Sequence, residues 1–238
     1  MSLHPLATEF AGLADVYERG RPEYPGAVVE RLCAELGLQP GARVLDLAAG
    51  TGKLTRALVA GGLEVSAVEP LGPLRDVLVA TVGAGRVHEG VAEAIPFADG
   101  TFAAVTVADA FHWFDQGPAL AEIRRVLRPG GGLALISSMP ELSPELVALI
   151  NDARTAHPYF DGPSAQETLA AAPGWGEARC VSVAAPQRLA ILDYVRSMSW
   201  VAAMDEPTRG ALLSSVRAVA GEQVELPVHV VMWLSARD

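Results

Sequence analysis

Residues 44–58 read VLDLAAGTGKLTRAL. An apolar run ends in Asp46, a small-residue turn carries Gly50 and Gly52, and an amphipathic segment follows. Strand, glycine-rich turn and helix is how α/β proteins hold nucleotide-like ligands, because backbone N–H groups at the helix start point at the ligand. Three chemistries compete for this turn. A phosphate cradle requires G-x-x-x-x-G-K-[ST]; here Leu54 follows Gly52 and Lys53, and Leu47 stands where the first glycine belongs. A dinucleotide fingerprint requires G-x-G-x-x-G; counted from Gly50, the third glycine's place holds Thr55. The third reading is plain turn chemistry, since glycine supplies the positive φ that a strand-to-helix turn often needs. The turn alone leaves ligand cradle and mere turn both open.

The elements that must position this turn are written around it. Short apolar runs at 42–47, 64–69, 85–89, 103–108 and 132–138 predict strands, and helical periodicity predicts helices over 25–37, 52–61, 71–82 and 117–127. Such alternation implies βαβ units and a parallel sheet covered on both faces. The run RPGGG is expected to close the last of these helices. Outside this core, residues 5–24 read as a helix followed by the extended, proline-containing ERGRPEYP, and 143–157 read as helix. A loop with a short helix follows over HPYFDGPSAQETLAAAPGWGEA. Residues 178–187 and 224–235 are strand-like, and 189–221 hold two helical patterns split at DEPTRG. The expectation is a single domain over 1–238. Its core is about 25–138 with 178–187 and 224–236, and its cap segments are about 1–24, 139–177 and 188–223. The cap helices are expected over the carboxyl edge of the sheet, where open α/β sheets bind ligands.

Composition narrows the function classes. The chain of 238 residues is half hydrophobic, which suits a sizeable core. With 28 acidic and 18 basic residues, its formal net charge of -10 disfavours nucleic acid and anionic membrane as partners. The basic run Arg124 to Arg128 reads as a solvated helix end. Cys33 and Cys180, far apart, make neither a disulfide framework nor a zinc site, so no metal is expected. The start MSLHPLATEF lacks a signal-peptide pattern and no run is long enough to span a bilayer, so a cytoplasmic setting is expected. Lys53 is the only lysine.

Several ordered landmarks then add a resemblance. VLDLAAGTG resembles motif I of class I S-adenosylmethionine-dependent methyltransferases, usually written D/E-x-G-x-G-x-G. Glu69 in AVEP ends the second strand, AEAIPFADGTFAAVTVADAFHWF resembles the AE-x-LPF-x-DGSFD-x-V stretch of the branch acting on small molecules, and ALAEIRRVLRPGGGLAL resembles its fourth helix and fifth strand. The resemblance covers roughly residues 15–138. It implies a Rossmann-like seven-stranded sheet of order 3-2-1-4-5-7-6 with strand seven antiparallel, and a helical cap. It also implies S-adenosylmethionine as cofactor, with S-adenosylhomocysteine as product. One carboxylate suits two vicinal ribose hydroxyls, which assigns Glu69 to the ribose. The helix start near Gly50 and Gly52 suits the carboxylate of the methionine end. Asp46 is expected near that end, holding the turn, the ammonium or both. Pro70 and Leu71 are expected to wall the adenine, with Ala92 and Glu93 after strand three and Asp109 after strand four completing the cofactor set. Glu93 reads equally as a turn cap. Two positions depart from the pattern. Val91 stands where the family often has an aspartate for the adenine amino group. Ala48 stands where a glycine is usual; its methyl is tolerated at negative φ and strained at positive φ.

The resemblance implies that residues after strand four face the acceptor. Asn/Asp-Pro-Pro-Tyr/Phe, which binds a flipped base in nucleic-acid enzymes, is absent, and FHWFD resembles a small-molecule branch. That branch often begins YxxxRPxYP; here Tyr17 to Pro25 read YERGRPEYP. Tyr17, Arg21 and Trp113 are candidate acceptor contacts, and Tyr24, Tyr159, Trp200 and Met204 are further cap candidates. Arg21 reads equally as a surface arginine holding the proline turn. Methyl transfer from a sulfonium is an in-line displacement, in which holding the nucleophile collinear with the methyl does most of the work. His112, whose unperturbed pKa lies near neutrality, is the candidate base if the acceptor must lose a proton; packing between Phe111 and Trp113 is the alternative. Two other functions stay open: a methyltransferase fold kept as a binding module, and a nicotinamide oxidoreductase, which a single lysine in the turn makes hard to build.

Overall fold

The computed structural model describes residues 12–155 and 165–237. It contains one seven-stranded sheet, formed by β1 (Arg43–Leu47), β2 (Glu64–Val68), β3 (Val87–His88), β4 (Phe102–Ala108), β5 (Leu127–Pro140), β6 (Arg179–Ala190) and β7 (Gln223–Ala236). Their order is β3-β2-β1-β4-β5-β7-β6. The pairs β2–β3, β1–β2, β1–β4 and β4–β5 are parallel. Strand β7 is antiparallel, with Arg237 N bonding Gly131 O at one end and Glu141 N bonding Pro227 O at the other. The expected order and the orientation of the seventh strand are thus present. The order reverses between β1 and β4, which makes their carboxyl ends a topological switch point.

The helices are α1 (Ala14–Gly20), α2 (Gly26–Leu36), α3 (Lys53–Ala60), α4 (Gly72–Val82), α5 (Gln116–Val126), α6 (Pro144–Thr155), α7 (Ala165–Ala171), α8 (Ile191–Arg196), α9 (Ser199–Ala202) and α10 (Glu206–Ala220). The chain divides into two compact units. The sheet unit comprises 24–138, 162–183 and 230–238; the helical unit comprises 1–23, 139–161 and 184–229.

In the sheet unit, alternation along the strands separates two cores. Leu45, Leu47, Val105, Val107, Leu133 and Leu135 join one cluster with α5, while Val44, Ala104, Ala134 and Ile136 join a second with α2 and α3. Successive side chains of a strand point to opposite faces, so the clusters lie on the two faces of the sheet. Segment 165–177, expected in the cap, belongs here. Leu169 and Trp175 are buried in the α5-side core, and Gly176 N bonds Ala236 O of β7. These two residues anchor the short helix and the loop after it to the sheet unit.

Two strands differ in length from the expectation. β3 holds only two residues because Ala84–Arg86 coil into a 3₁₀ turn before it. β5 begins at Leu127, so RPGGG is not a helix stop; the register slips between Phe102 and Ala104, where Gly130 at φ 71° forms a bulge. A Cβ on Gly131 would lie 2.9 Å from Arg128 O.

The helical unit packs α6, α8, α9 and α10 around Ile191, Val195, Val201 and Val216. The pattern over 189–221 resolves into three helices rather than two. Ser197 breaks the first, its hydroxyl donating to Tyr194 O at 2.7 Å. Asp205 caps α10, accepting from Thr208 N at 2.9 Å. Tyr159 lies outside the described residues.

Candidate active site

The carboxyl ends of β1 and β2 hold the chemistry that the sequence singled out. Asp46 is buried, and both its oxygens are engaged: Thr55 Oγ1 donates at 2.6 Å and Thr106 Oγ1 at 3.0 Å. Burial pushes its pKa up to about 6, against the lowering effect of those two hydroxyls. Asp46 therefore ties the start of α3 to β4 and stiffens the turn from beneath. Thr55 and Thr106 were not singled out in the sequence; a Thr nine residues after the strand-end acid, one helical turn into α3, is the signal.

The turn itself runs through left-handed backbone. Ala48 (φ 55°), Gly50 (φ 59°) and Gly52 (φ 92°) are all positive. The question posed by Ala48 is answered on the strained side. For alanine this region costs roughly 1–2 kcal/mol. Gly52 is required for a second reason, since a Cβ there would lie 2.5 Å from Leu78 Cδ1 on α4. Gly50, by contrast, has no atom within 4 Å of where a Cβ would be. Among the described residues only one other non-glycine has positive φ, Asp109 at 51°. Both strained residues end a strand bordering the switch point, and strain of this kind concentrates at functional sites.

Glu69 follows β2 and is 3% exposed. Its Oε2 accepts from Gly50 N at 2.8 Å and its Oε1 from Leu71 N at 2.9 Å. Burial raises its pKa to about 6, opposed by the two N–H bonds and by Arg75. A carboxylate offers about four acceptor directions; the backbone takes one per oxygen, so a pair of hydroxyls can take the rest. Arg75, unforeseen in the sequence, clamps the loop through bonds to Glu69 O, Pro70 O and Glu89. Pro70 and Leu71 lead straight into α4 at this point and are half-buried. Thr51 Oγ1, inside the turn, is buried without a hydrogen-bond partner among the described residues. A cradle with an acceptor for two hydroxyls, room at Gly50 and an orphaned hydroxyl fits a polar, diol-bearing ligand.

Residues 45–135 match the family model described as a methyltransferase domain. The matched stretch carries Asp46, the glycine turn and Glu69. An uncharacterized methyltransferase from Mycobacterium tuberculosis is 44% identical over 135 residues, covering 57% of this chain and 54% of that protein. A demethylmenaquinone methyltransferase from Mycobacterium sp. (strain KMS) is 41% identical over 109 residues, covering 43% and 44%. The chain spans about half the length of the curated relatives it matches. Among solved structures, a putative type II methyltransferase from Anaeromyxobacter dehalogenans superposes with a TM-score of 0.64 at 24% identity, covering 91% of this chain and 97% of that one.

The remaining candidates fall in three places. Ala92 is buried in the core below the loop after β3. Glu93 Oε1 accepts from Asp115 N at 2.8 Å, clasping that loop to the start of α5. The bond occupies one carboxylate oxygen. Val91 bridges Ala94 within the same loop. After β4, Asp109 accepts from Ser138 Oγ at 2.8 Å, Ser138 N at 3.2 Å and Tyr24 Oη at 3.2 Å. It is the hub of this strand end, and Tyr24 and Ser138 were not foreseen as its partners. Phe111, His112 and Trp113 form a 3₁₀ turn beside it. Phe111 is buried and stacks edge-on with Phe114 at 5.8 Å, while the rings of His112 and Trp113 lie 4.4 Å apart.

Tyr17 and Arg21 belong to the helical unit. There the Arg21 guanidinium lies over the rings of Tyr17 and Tyr194, at 5.2 and 5.6 Å, and donates to Ser197 O at 3.0 Å. That arrangement pins α1 to α8. Trp200 and Met204 are buried in the core of the same unit.

Proposed function

We propose that this protein transfers a methyl group from S-adenosylmethionine to O, N or C of a small-molecule acceptor and releases S-adenosylhomocysteine. The observation that carries the reading is Glu69: a buried carboxylate at the end of β2, tied to the glycine turn through Gly50 N. Glu69 accepts from both ribose hydroxyls, and Gly50, Thr51 and Gly52 meet the methionine end. Pro70, Leu71 and Ala92 wall the adenine. Asp46 acts from below, as the group that holds the turn. Asp109 fixes the end of β4, and His112 takes a proton where the acceptor has one to lose. The cofactor, when bound, supplies an electrophilic methyl on a sulfonium; the chain's own task is to hold donor and acceptor in line and exclude water. The demethylmenaquinone relative supports an acceptor of small-molecule class. The net charge of -10 supports the same class against nucleic acid. No described helix is long and apolar enough to cross a membrane.

Calorimetric titration with S-adenosylmethionine, S-adenosylhomocysteine and NADH tests the reading. Binding of both sulfur compounds and none of NADH is expected. Heat with NADH alone would turn the assignment to an oxidoreductase. Sulfur-ligand binding without S-adenosylhomocysteine production across a metabolite panel would reduce the domain to a binding module.

A further inference from the structure

A groove of about 770 Å³ runs between α5 and α7 in the sheet unit. Its volume is that of a small-molecule site. One wall is Leu120 and Ala121 of α5; opposite stand Ala171, Ala172 and Trp175. Thr168 Oγ1 donates to Gln116 Oε1 at 2.8 Å and joins the two walls at one end. At the other end stand Arg124, Arg125 and Arg237. Arg125 is spent: it bonds Ile95 O and Phe97 O and pairs with Asp99 and Glu122. Arg237 is held at the floor by Leu127 O, and its Nε is buried with no hydrogen-bond partner among the described residues.

Arg124 is the built part. Its Nε donates to Gly174 O at 3.1 Å. Its guanidinium lies so close to Gly174 that a Cβ there would sit 2.7 Å from Arg124 Cζ, and Gly174 has φ +78°. A glycine is thus required both for the turn and for the arginine to lie flat on it. The bond and the contact fix the plane of the guanidinium. Among the described residues no hydrogen bond or ion pair reaches its two terminal nitrogens. Of the acidic groups lining the groove, Asp99 is ion-paired with Arg125, and Glu167 stands on the α7 wall.

We propose that this groove binds a small amphiphilic carboxylate. The carboxylate lies across the terminal nitrogens of Arg124, a fork whose geometry matches it, and the apolar body lies between α5 and α7 against Leu120 and Trp175. The site is separate from the glycine turn. Arg124 follows Gln116 by eight residues of α5, roughly 12 Å along the helix. Arg237 pairs with Gly131 near the start of β5, whereas the glycine turn lies at the carboxyl ends of β1 and β2.

The test is calorimetric titration of the full chain with sodium octanoate and 4-phenylbutyrate, with 1-octanol as the uncharged comparison. Saturable 1:1 binding of at least one acid is expected, with Arg124→Gln weaker by about 10- to 100-fold, the range for a charge-assisted pair. Ala121→Phe, on the solvent side of α5, is expected to block the groove and abolish binding. Glu69→Gln, in the glycine-turn site, should bind the acid as the native chain does. If Arg124→Gln proves unfolded by thermal melt, Ala121→Phe decides. No saturable binding of either acid at millimolar concentration overturns the proposal. So does native affinity in Ala121→Phe, 1-octanol binding as tightly as octanoate, or loss of acid binding in Glu69→Gln.

Discussion

Cofactor binding should expel a proton from Glu69. Burial holds this carboxyl at a pKa of about 6, although Gly50 N and Leu71 N already favour its charged form. Two ribose hydroxyls donating to it favour the charged form further, so the bound state holds fewer protons than the free one. At pH 6 about half the free molecules carry the proton, so about 0.5 proton leaves per cofactor bound; at pH 8 the release falls to about 0.01. Below pH 6 the apparent affinity should drop by about tenfold per pH unit. Calorimetry in two buffers of different ionisation enthalpy reads the proton count directly. Using 5′-methylthioadenosine, which keeps the diol and lacks the amino-acid end, removes the ligand's own ammonium from the balance. Glu69→Gln should abolish the release. It should also weaken binding by about 10- to 100-fold, because the amide NH₂ meets a backbone N–H and a charge-assisted pair is lost. Zero or inward proton flux at pH 6, or release that survives in Glu69→Gln, would refute the ribose assignment.

Four further outcomes follow from the same geometry. Ala48→Gly removes left-handed strain but loses one partly buried methyl and gains unfolded-state entropy, so a net stabilisation of about 0.5–1 kcal/mol and a rise of about 1–4 °C in Tm are expected; a lower Tm contradicts the positive φ. Asp46 has a folded pKa near 6 against 3.8 unfolded. Its contribution to stability is therefore fully present below about pH 4 and is lost as pH rises through 6, a change of about 3 kcal/mol. Urea midpoints across that range should show a pH slope that Asp46→Asn flattens. Ser138→Ala should destabilise more than Tyr24→Phe, each by about 0.5–1.5 kcal/mol, since Ser138 makes the shorter bond to Asp109; the reverse order in denaturant titration would contradict the network. Once an acceptor is known, His112→Ala should lower turnover with cofactor affinity unchanged; unaltered turnover assigns His112 to packing.

The sheet was legible because its signal is local and repeated. Alternation of apolar strands with amphipathic helices names a parallel sheet, and the acids at 46 and 69 mark two strand ends without reference to anything distant. What escaped the sequence depends on contacts between segments far apart in the chain. Leu169 and Trp175 sit in a short helix and loop too brief to show a periodic apolar face, and only the core they enter reveals their place. The partners of Asp109, at positions 24 and 138, are each separated from it by more than two dozen residues. The bond from Asp115 N to Glu93 joins residues 22 apart in the chain and had no signal in either segment. The sign of φ at Ala48 was undecidable from residue type, because alanine in a glycine-rich turn is compatible with either backbone.

Lys53, the single lysine of the chain, opens α3 directly after the glycine turn and is 5% exposed. Reagents or enzymes that acylate side-chain amines therefore find no exposed lysine on the folded protein. Its exposed lysine-or-arginine charges are all guanidinium groups, which stay charged across the working pH range. A slow amine-reactive label read at Lys53 itself, apart from the α-amino group, would then report the opening of the turn. Its rate, with and without S-adenosylmethionine, is a clock for how often the cradle comes apart.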